Sequence, residues 1–364
     1  MQSRTNGASN RTIAEGMNSR GGRPRDGASR LKRRDMIRLG VASIGAGMVS
    51  GLDVVAAGAT GQEKIVHAHK PLRAAFSNIG LQVSWCVQGK QAAEFWGDLF
   101  NVEVTWFDGG LSVVQQRAAL EEIASRKWDF VAIQAVAIDT LADPVNRIID
   151  EGIPVIDMDT LIAPLDSIDV HTFLAPDNEF MGAAVTKALV DAIGGTGTFI
   201  MTQGALGHTG AQGRARGFAS VIAQNPNIEV LETDSADWDP ARVVQLWELY
   251  LDTYPHISAA FFHNDDMALA ALDVMRRRNR TETLVGGVDA MPPAIQAVLD
   301  GRMYATVRNP SCRIHGGAIV AGVDAARAPK KAVASPPKHI VVDGPIVTQA
   351  NGPGLLWMEE HFLI

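Results

Sequence analysis

The amino-acid sequence predicts an α/β protein in which parallel sheets are covered by helices on both faces. From Pro71 onward, short apolar strands alternate with amphipathic helices of about 10–15 residues. Strands that are apolar throughout are typical of such sheets, because both of their faces are buried. At 364 residues the chain is long enough for two domains of ordinary size.

Composition narrows the class of function. The chain is 46% hydrophobic and 20% charged, as in soluble globular proteins. Its formal net charge of -7 argues against a nucleic-acid partner. Cys86 and Cys312 match no zinc or redox spacing, and we interpret them as two separate buried residues rather than as a disulfide.

The strands and helices can be placed along the chain. The predicted strands are LRAAFSN, VEVTWFD, DFVAIQA, PVIDMD, GTFIMTQG, EVLETDS, SAAFFHN, TLVGGVD and MYATVRN. The predicted helices include Gln115–Ser125, Pro144–Glu151, Asn178–Ile193, Pro240–Tyr254 and Met267–Arg277. Such alternation indicates strand–helix–strand units, whose ligands bind beyond the carboxyl ends of the strands.

The first sixty residues follow a different pattern. Residues 1–34 are rich in Arg, Gly, Ser and Asn, and the segment RRDMIR (33–38) resembles the twin-arginine export motif. A weakly hydrophobic stretch, Leu39 to Val55, and small residues at Ala57 and Ala59 follow it. We expect residues 1–59 to be a twin-arginine signal peptide with a disordered N-terminal extension. A basic tail with a chance arginine pair is the alternative.

Polar residues stand at the ends of the predicted strands. They are Asn78, Asp108, Gln134, Asp159, Gln203, Asp234, Asn264, Asp289 and Asn309. A single Asn or Asp at such a position also suits a helix cap, so each one alone leaves both roles open. The whole series favours a binding cleft lined by the strand ends.

The segment FFHNDD (261–266) brings imidazole, amide and carboxylate groups to one strand end. The side chains of Asp265 and Asp266 point about 100° apart at a helix start, which disfavours a carboxylate dyad. We expect Asn264 to reach a ligand while the two carboxylates cap and polarise the helix. His263 is either a core residue or a contact at the rim.

Several catalytic motifs are missing from the sequence. The glycine-rich segment 194–214 precedes a strand and has no Gly-Lys-Ser/Thr, which argues against a phosphate loop. Neither a G-x-S-x-G elbow nor an H-E-x-x-H motif occurs. His67 and His69 are best interpreted as part of a solvated tail. We therefore expect no enzyme activity, no cofactor and no metal.

The remaining polar and aromatic residues suit a sugar or polyol. Such a ligand needs charged or amide groups for its hydroxyls and flat aromatic surfaces for its C–H faces. Trp85 follows the first strand, and Trp238 lies in the polar turn ADWD. Either ring could simply pack in the core, but the polar turn favours a ligand contact for Trp238.

Several motifs resemble those of the periplasmic sugar-binding proteins of ABC transporters, the family of ribose-binding and glucose/galactose-binding proteins. They are FFHNDDMALAAL, VGGVDAMPPAIQAVLDGRMYATVRNP and GHTGAQGRARGF, and the resemblance spans about residues 71–350. It implies the type I periplasmic binding fold, with two similar Rossmann-like lobes, a three-segment hinge and a ligand in the cleft. The first lobe would comprise 71–173 plus 309–341, and the second 174–308 plus 342–364.

The resemblance also implies a set of ligand-binding residues. They are Asn78, Gln82, Trp85, Asp159, His208, Arg214, Trp238, Asn264, Asp289 and Asn309. Three positions depart from the family: Ser84-Trp85 replaces a Phe pair, Thr160 replaces an Arg, and Gly210 replaces an Asp. The calcium loop of the glucose/galactose type is not recognisable.

The expected function is that of a monomeric periplasmic protein that delivers a monosaccharide or polyol to an ABC permease. A ligand-sensing receptor of the same fold, feeding a membrane signalling protein, is the alternative. A repressor of the related family is disfavoured, because no helix-turn-helix precedes Pro71. An enzyme with a flavodoxin-like core lacks any supporting motif.

Overall fold

The computed structural model describes residue 67, residues 69–328 and residues 336–360, which form two parallel α/β sheets with helices. The predicted signal peptide, residues 1–59, lies outside the described residues. The first sheet has six strands in the order β11-β5-β4-β3-β1-β2. Its strands are β1 (Leu72–Asn78), β2 (Val102–Asp108), β3 (Phe130–Ile133), β4 (Val155–Met158), β5 (Thr172–Ala175) and β11 (His339–Val341).

The second sheet repeats this plan with the order β12-β10-β9-β8-β6-β7. Its strands are β6 (Gly197–Thr202), β7 (Ile228–Glu232), β8 (Ala259–Phe262), β9 (Leu284–Asp289), β10 (Ala305–Arg308) and β12 (Ile346–Val347). All pairings in it are parallel except that of β10 with β12. The predicted two-lobed α/β architecture is therefore confirmed.

Helices cover both sheets. Those packed in the first lobe are α1 (Ser84–Phe100), α2 (Val113–Ala124), α3 (Ala142–Asp150) and α9 (Ser311–Arg327). Those of the second lobe are α4 (Asn178–Ala192), α5 (Thr209–Ile222), α6 (Pro240–Thr253), α7 (Asp265–Arg277), α8 (Pro292–Leu299) and α10 (Gly352–Glu360). The chain passes between the sheets after β5, after β10 and after β11.

The apolar strands predicted from the sequence all form, and the short strands β5, β11 and β12 were not predicted. β11 has three residues and β12 only two, too few for a recognisable pattern, whereas β5 has four, as many as the predicted strands β3, β4, β8 and β10. β5 ends at Ala175, beyond the lobe boundary expected at residue 173. Both β11 and β12 lie at sheet edges, where partial exposure leaves their composition mixed.

Large apolar side chains fill the space between the sheets and their helices. Phe76, Phe130, Phe199, Phe261 and Phe262 are fully buried. The two cysteines are both buried thiols, in agreement with the prediction. Within the described ranges, none of the helices combines the length and apolar character needed to cross a membrane.

Candidate functional site

A cavity lies where the carboxyl ends of the strands of both sheets meet. It contains about 260 Å³ that protein atoms do not fill. Its lining residues are Ile79, Val83, Trp85, Gln134 and Asp159 from the first lobe, His208, Arg214, Trp238, Asn264 and Asp289 from the second, and Asn309 after β10. The lining includes eight of the ten residues expected from the resemblance.

Asn78 and Gln82 are the two residues that the structure does not bring to the cavity. Asn78 is fully buried in β1, and its neighbour Ile79 faces the cavity instead. Gln82 is exposed, and its Oε1 would lie 2.4 Å from a Cβ added at Gly80, so the side chain folds over that glycine. The ligand contacts expected of Asn78 and Gln82 stay predictions, and both polar atoms of the Asn78 side chain are buried without a hydrogen-bond partner among the described residues.

Gln134, Ile79 and Val83 line the cavity without having been nominated. Gln134 directly follows β3. Its place among the polar residues at the strand ends is the signal that could have identified it. Its Nε2 donates to Asp159 Oδ2 over 3.0 Å. Ile79 and Val83 are apolar, and nothing in their sequence pattern distinguishes a cavity wall from a core.

Asp159 connects the first lobe with the second crossover. Asn309 Nδ2 donates to its Oδ1 over 3.2 Å. Trp85 Nε1 donates to the carbonyl oxygen of Asn309 over 3.1 Å, which places the indole beside the same crossover. These hydrogen bonds fix the orientation of the carboxylate that faces the cavity.

Arg214 is held by partners within its own lobe. Its Nε donates to Asn178 Oδ1 over 3.0 Å, and its Nη1 donates to the carbonyl oxygen of His263. Nη2 lies 3.8 Å from Asp289 Oδ1. The guanidinium Cζ also lies 5.7 Å from the ring centroid of Trp238, a cation–π distance. The guanidinium is therefore positioned before any ligand binds.

Asp289 is a carboxyl group in an unfavourable place for a charge. Burial raises its pKa to about 8, and the nearby Arg214 guanidinium opposes this shift only in part. A protonated carboxyl can donate one hydrogen bond and accept others. Asp289 therefore suits a ligand hydroxyl, which also donates and accepts.

His208 stands at the seam between the lobes as a neutral imidazole. Burial lowers its pKa to about 4, although Asp159 at 3.7 Å from Nε2 favours the charged form. Its ring is hydrogen-bonded to Thr160 Oγ1 of the first lobe. Thr160, which replaces the family's Arg, thus contacts the opposite lobe. A Cβ at position 210 would lie only 2.9 Å from His208 Cε1, so the imidazole has its space because Gly210 carries no side chain.

The indole ring of Trp238 packs directly against Gly204. A Cβ added to Gly204 would come within 2.2 Å of the indole, so this position has no space for a side chain. His263 Nδ1 accepts a hydrogen bond from Gly204 N over 3.2 Å. His263 is fully buried and does not line the cavity, which favours its interpretation as a core residue that positions the glycine.

The polar residues that follow β8, Asn264, Asp265 and Asp266, do not all have the roles predicted from the sequence. Asn264, not either aspartate, caps α7, since its Oδ1 accepts from Met267 N over 2.9 Å. Asp265 accepts from Thr306 Oγ1 and Met291 N inside the second lobe. Asp266 Oδ2 accepts a hydrogen bond from Ser84 N of the first lobe over 2.8 Å. Both aspartates do lie in the first turn of α7, as expected, but the capping role belongs to Asn264 and not to them.

Strained backbone accompanies the site. Asp159, Trp238 and Asp289 line the cavity with φ values of 58°, 65° and 114°. Such left-handed values are uncommon for residues other than glycine and persist where the surroundings hold them. The strain therefore marks residues whose side chains are aimed by the fold.

Three buried polar atoms of the lining have no hydrogen-bond partner among the described residues. They are Trp238 Nε1, Asn264 Nδ2 and Asn309 Oδ1. Two are donors and one is an acceptor, so a polyhydroxylated molecule could satisfy all three. In the described part of the chain, no three His, Cys, Asp or Glu side chains form a group that could hold a metal ion.

The sequence matches the family model described as a periplasmic binding protein domain over residues 74–327. The chain belongs to this family. A xylitol-binding protein of Mycolicibacterium smegmatis is 27% identical over 65% of this chain and 68% of its own length. A ribose import binding protein of Salmonella typhimurium is 26% identical over 60% of this chain and 72% of its own.

Solved structures show the same fold. An ABC transporter solute-binding protein of Mycobacterium smegmatis with bound glycerol superimposes with a TM-score of 0.73 at 26% identity. It covers 79% of this chain and 97% of its own. A galactofuranose-binding protein gives a TM-score of 0.75 at 23% identity, over 80% of this chain and 99% of its own. The family members compared are binding proteins and not enzymes.

Proposed function

We propose that this chain is the substrate-binding component of an ABC importer and binds a monosaccharide or polyol between its lobes. The observation that carries the proposal is the buried lining. Trp238 provides an aromatic face, while Arg214, Asp289, Asn264 and Asn309 provide donors and acceptors around it. Few other ligand classes need an aromatic face and hydroxyl-binding groups on several sides.

The charges of the lining favour a neutral ligand. Arg214 supplies one positive charge, and Asp159 faces it with a carboxylate from the opposite wall. Asp289 is largely protonated near pH 7, because its pKa is about 8, and His208 is neutral. The site thus contains no excess charge that an ionic ligand would be required to balance.

The relatives agree with this class of ligand. Those most relevant are named for xylitol and ribose, an acyclic polyol and a pentose. A structural neighbour contains glycerol, a smaller polyol. The missing Phe pair and Arg depart from the ribose pattern, so we propose the wider class of neutral polyols and monosaccharides and not ribose in particular.

The proposed mechanism is closure of the two lobes around the ligand. A ligand that bridges both walls makes more contacts in the closed state and therefore favours it. The closed, monomeric protein would then dock on the permease, without nucleic acid, metal or catalysis. We propose a periplasmic location, reached by the twin-arginine route that residues 33–38 suggest.

A ligand panel tests the proposal. Purified chain is titrated calorimetrically with xylitol, ribitol, D-ribose, D-allose and myo-inositol, and its melting temperature is measured with each. We expect at least one neutral polyol or sugar to bind and to raise the melting temperature. Matched anionic ligands, such as gluconate and ribose 5-phosphate, are expected to bind at least tenfold more weakly. Tighter binding of those anions, or no binding of any neutral member, would contradict the proposal.

A further inference from the structure

Asp266 makes a hydrogen bond between the lobes outside the cavity. It belongs to the first turn of α7 in the second lobe, and its Oδ2 accepts from Ser84 N over 2.8 Å. Ser84 is the first residue of α1 in the first lobe. Asp266 does not line the cavity, so this bond involves no ligand contact.

The start of α1 lacks a cap from its own lobe. Its N-cap residue, Val83, has no side-chain hydrogen bond to the helix, and the first turn has no acidic residue. The first N–H groups of a helix have no intrahelical acceptors, and the helix dipole favours a negative charge there. The carboxylate of Asp266 therefore provides the hydrogen-bond acceptor and the negative charge that the first turn of α1 lacks.

Several of the other bonds between the lobes join neutral groups, and one, from Arg308 Nη2 to Gln88 Oε1 over 3.1 Å, has a charged donor. Leu161 N donates to Thr209 Oγ1 over 3.1 Å, and Ile138 N donates to the carbonyl oxygen of Gly207 over 3.0 Å. These bonds join neutral groups along the seam. The bond from Ser84 to Asp266 involves a charged acceptor, and such bonds are roughly twice as strong as neutral ones.

We infer that Asp266 is a closure residue, which raises the affinity for every ligand without touching any of them. The cap exists only when α1 and α7 meet, so it stabilises the closed arrangement and not the separated lobes. Apparent affinity scales with the fraction of molecules in the binding-competent arrangement. This inference rests on the proposed function for its affinity measurement but not for its conformational one.

The test compares wild type with Asp266→Ala and Asp266→Asn. The Ala variant removes the cap, and we expect about 3- to 30-fold weaker binding of xylitol and of D-ribose, by the same factor for both. The Asn variant keeps an acceptor and is expected to lose less, because asparagine also caps helices. Amide exchange at Ser84 should be faster in the Ala variant, and small-angle scattering should show a more open molecule.

Two control variants separate closure from ordinary helix effects. Asp239→Ala removes a cap inside the second lobe, where Oδ1 accepts from Ala241 N over 2.8 Å. Asp273→Asn removes a charge from an exposed site on α7 itself. Both are expected to leave Ser84 exchange and ligand affinity within about twofold of wild type.

The two proposals fail in different ways. If neither xylitol nor D-ribose binds wild type, that result argues against the proposed function. Scattering and Ser84 exchange of the unliganded proteins then still decide the role of Asp266. Equal scattering and equal Ser84 exchange in wild type and Asp266→Ala, with and without these probes, would overturn the inference. So would a loss of affinity for one probe only, which would make Asp266 a ligand contact.

Discussion

The two walls of the cleft differ in how their polar groups are supported. In the second lobe, the Arg214 side chain bonds to Asn178 and His263, and Trp238 rests on Gly204. In the first lobe, Ile79, Val83 and Trp85 form a mostly apolar wall. The polar residues of this wall, Gln134 and Asp159, are hydrogen-bonded to each other, and Asp159 also accepts a hydrogen bond from Asn309 in the second crossover. The second lobe thus holds a preformed polar and aromatic surface, and the first lobe covers it.

The largest effect is expected from removing the guanidinium of that preformed surface. Arg214→Ala should weaken polyol binding by about 10- to 100-fold, because charge-assisted hydrogen bonds contribute about 1.5–3 kcal/mol each. Isothermal titration calorimetry with the best ligand of the panel measures the change. The first-lobe variant Gln134→Ala should lose less, and a larger loss there would reverse the comparison of the walls.

Arg216 provides the matched control on the same helix. It is exposed, and its side chain forms an ion pair with Glu179. Exposed ion pairs contribute little, so Arg216→Ala should leave affinity within about twofold and stability within about 1 kcal/mol of wild type. Equal losses in the two arginine variants would show that the effect is not specific to the site.

A smaller effect is expected from displacing the Trp238 ring. Gly204→Ala places a Cβ where it would lie 2.2 Å from the indole, which must therefore move. We expect about 3- to 10-fold weaker ligand binding, the scale of a lost aromatic contact. Gly354→Ala, at a position with open space around it, is the control. Unchanged affinity in Gly204→Ala would remove Trp238 from the ligand-binding surface.

The smallest effect concerns the pH dependence of stability. Because burial raises the pKa of Asp289 from 3.8 to about 8, the folded protein retains a proton that the unfolded chain has lost. The stability that this proton contributes is complete below the unfolded pKa and is lost as pH rises through about 8. Between pH 7 and pH 8.5, wild type should lose about 1 kcal/mol more unfolding free energy than Asp289→Asn.

Urea unfolding at the two pH values measures this difference. The window avoids the buried histidines, whose lowered pKa values make them affect stability chiefly below pH 6.5. Asp300→Asn serves as control, because the pKa of that exposed carboxyl is lowered by Gln296 and Arg302 and lies far below the window. Parallel pH curves for wild type and Asp289→Asn would mean that Asp289 is ionised throughout.

The fold was predictable because parallel strands carry their evidence locally. Each predicted apolar run formed a strand, β11 and β12 lacked enough residues for a pattern, and β5 was missed although four other strands of its length were predicted. The site was predictable to the extent that strand ends converge on one cavity. The direction in which each side chain points was harder to predict. Asn78 and Ile79 are neighbours, and only the strand register determines which of them faces the cavity.

Contacts between the lobes could not be predicted at all from the sequence. The sequence predicts Asp266 as a first-turn acid of its own helix, and it does lie there, but nothing in that position indicates a partner in the other lobe. Its true partner, Ser84, is 182 residues away in sequence. No local pattern relates the two, because their meeting depends on how the lobes are arranged.

The strained backbone at Asp159, Trp238 and Asp289 has a consequence for protein engineering. Left-handed positions accept few residue types, so randomising these three would mostly yield chains that fold poorly. Gln134 and His208 face the same cavity without that restriction, since His208 has an ordinary φ of -88°. A library that seeks new ligand selectivity should therefore vary Gln134 and His208 and leave the strained positions unchanged.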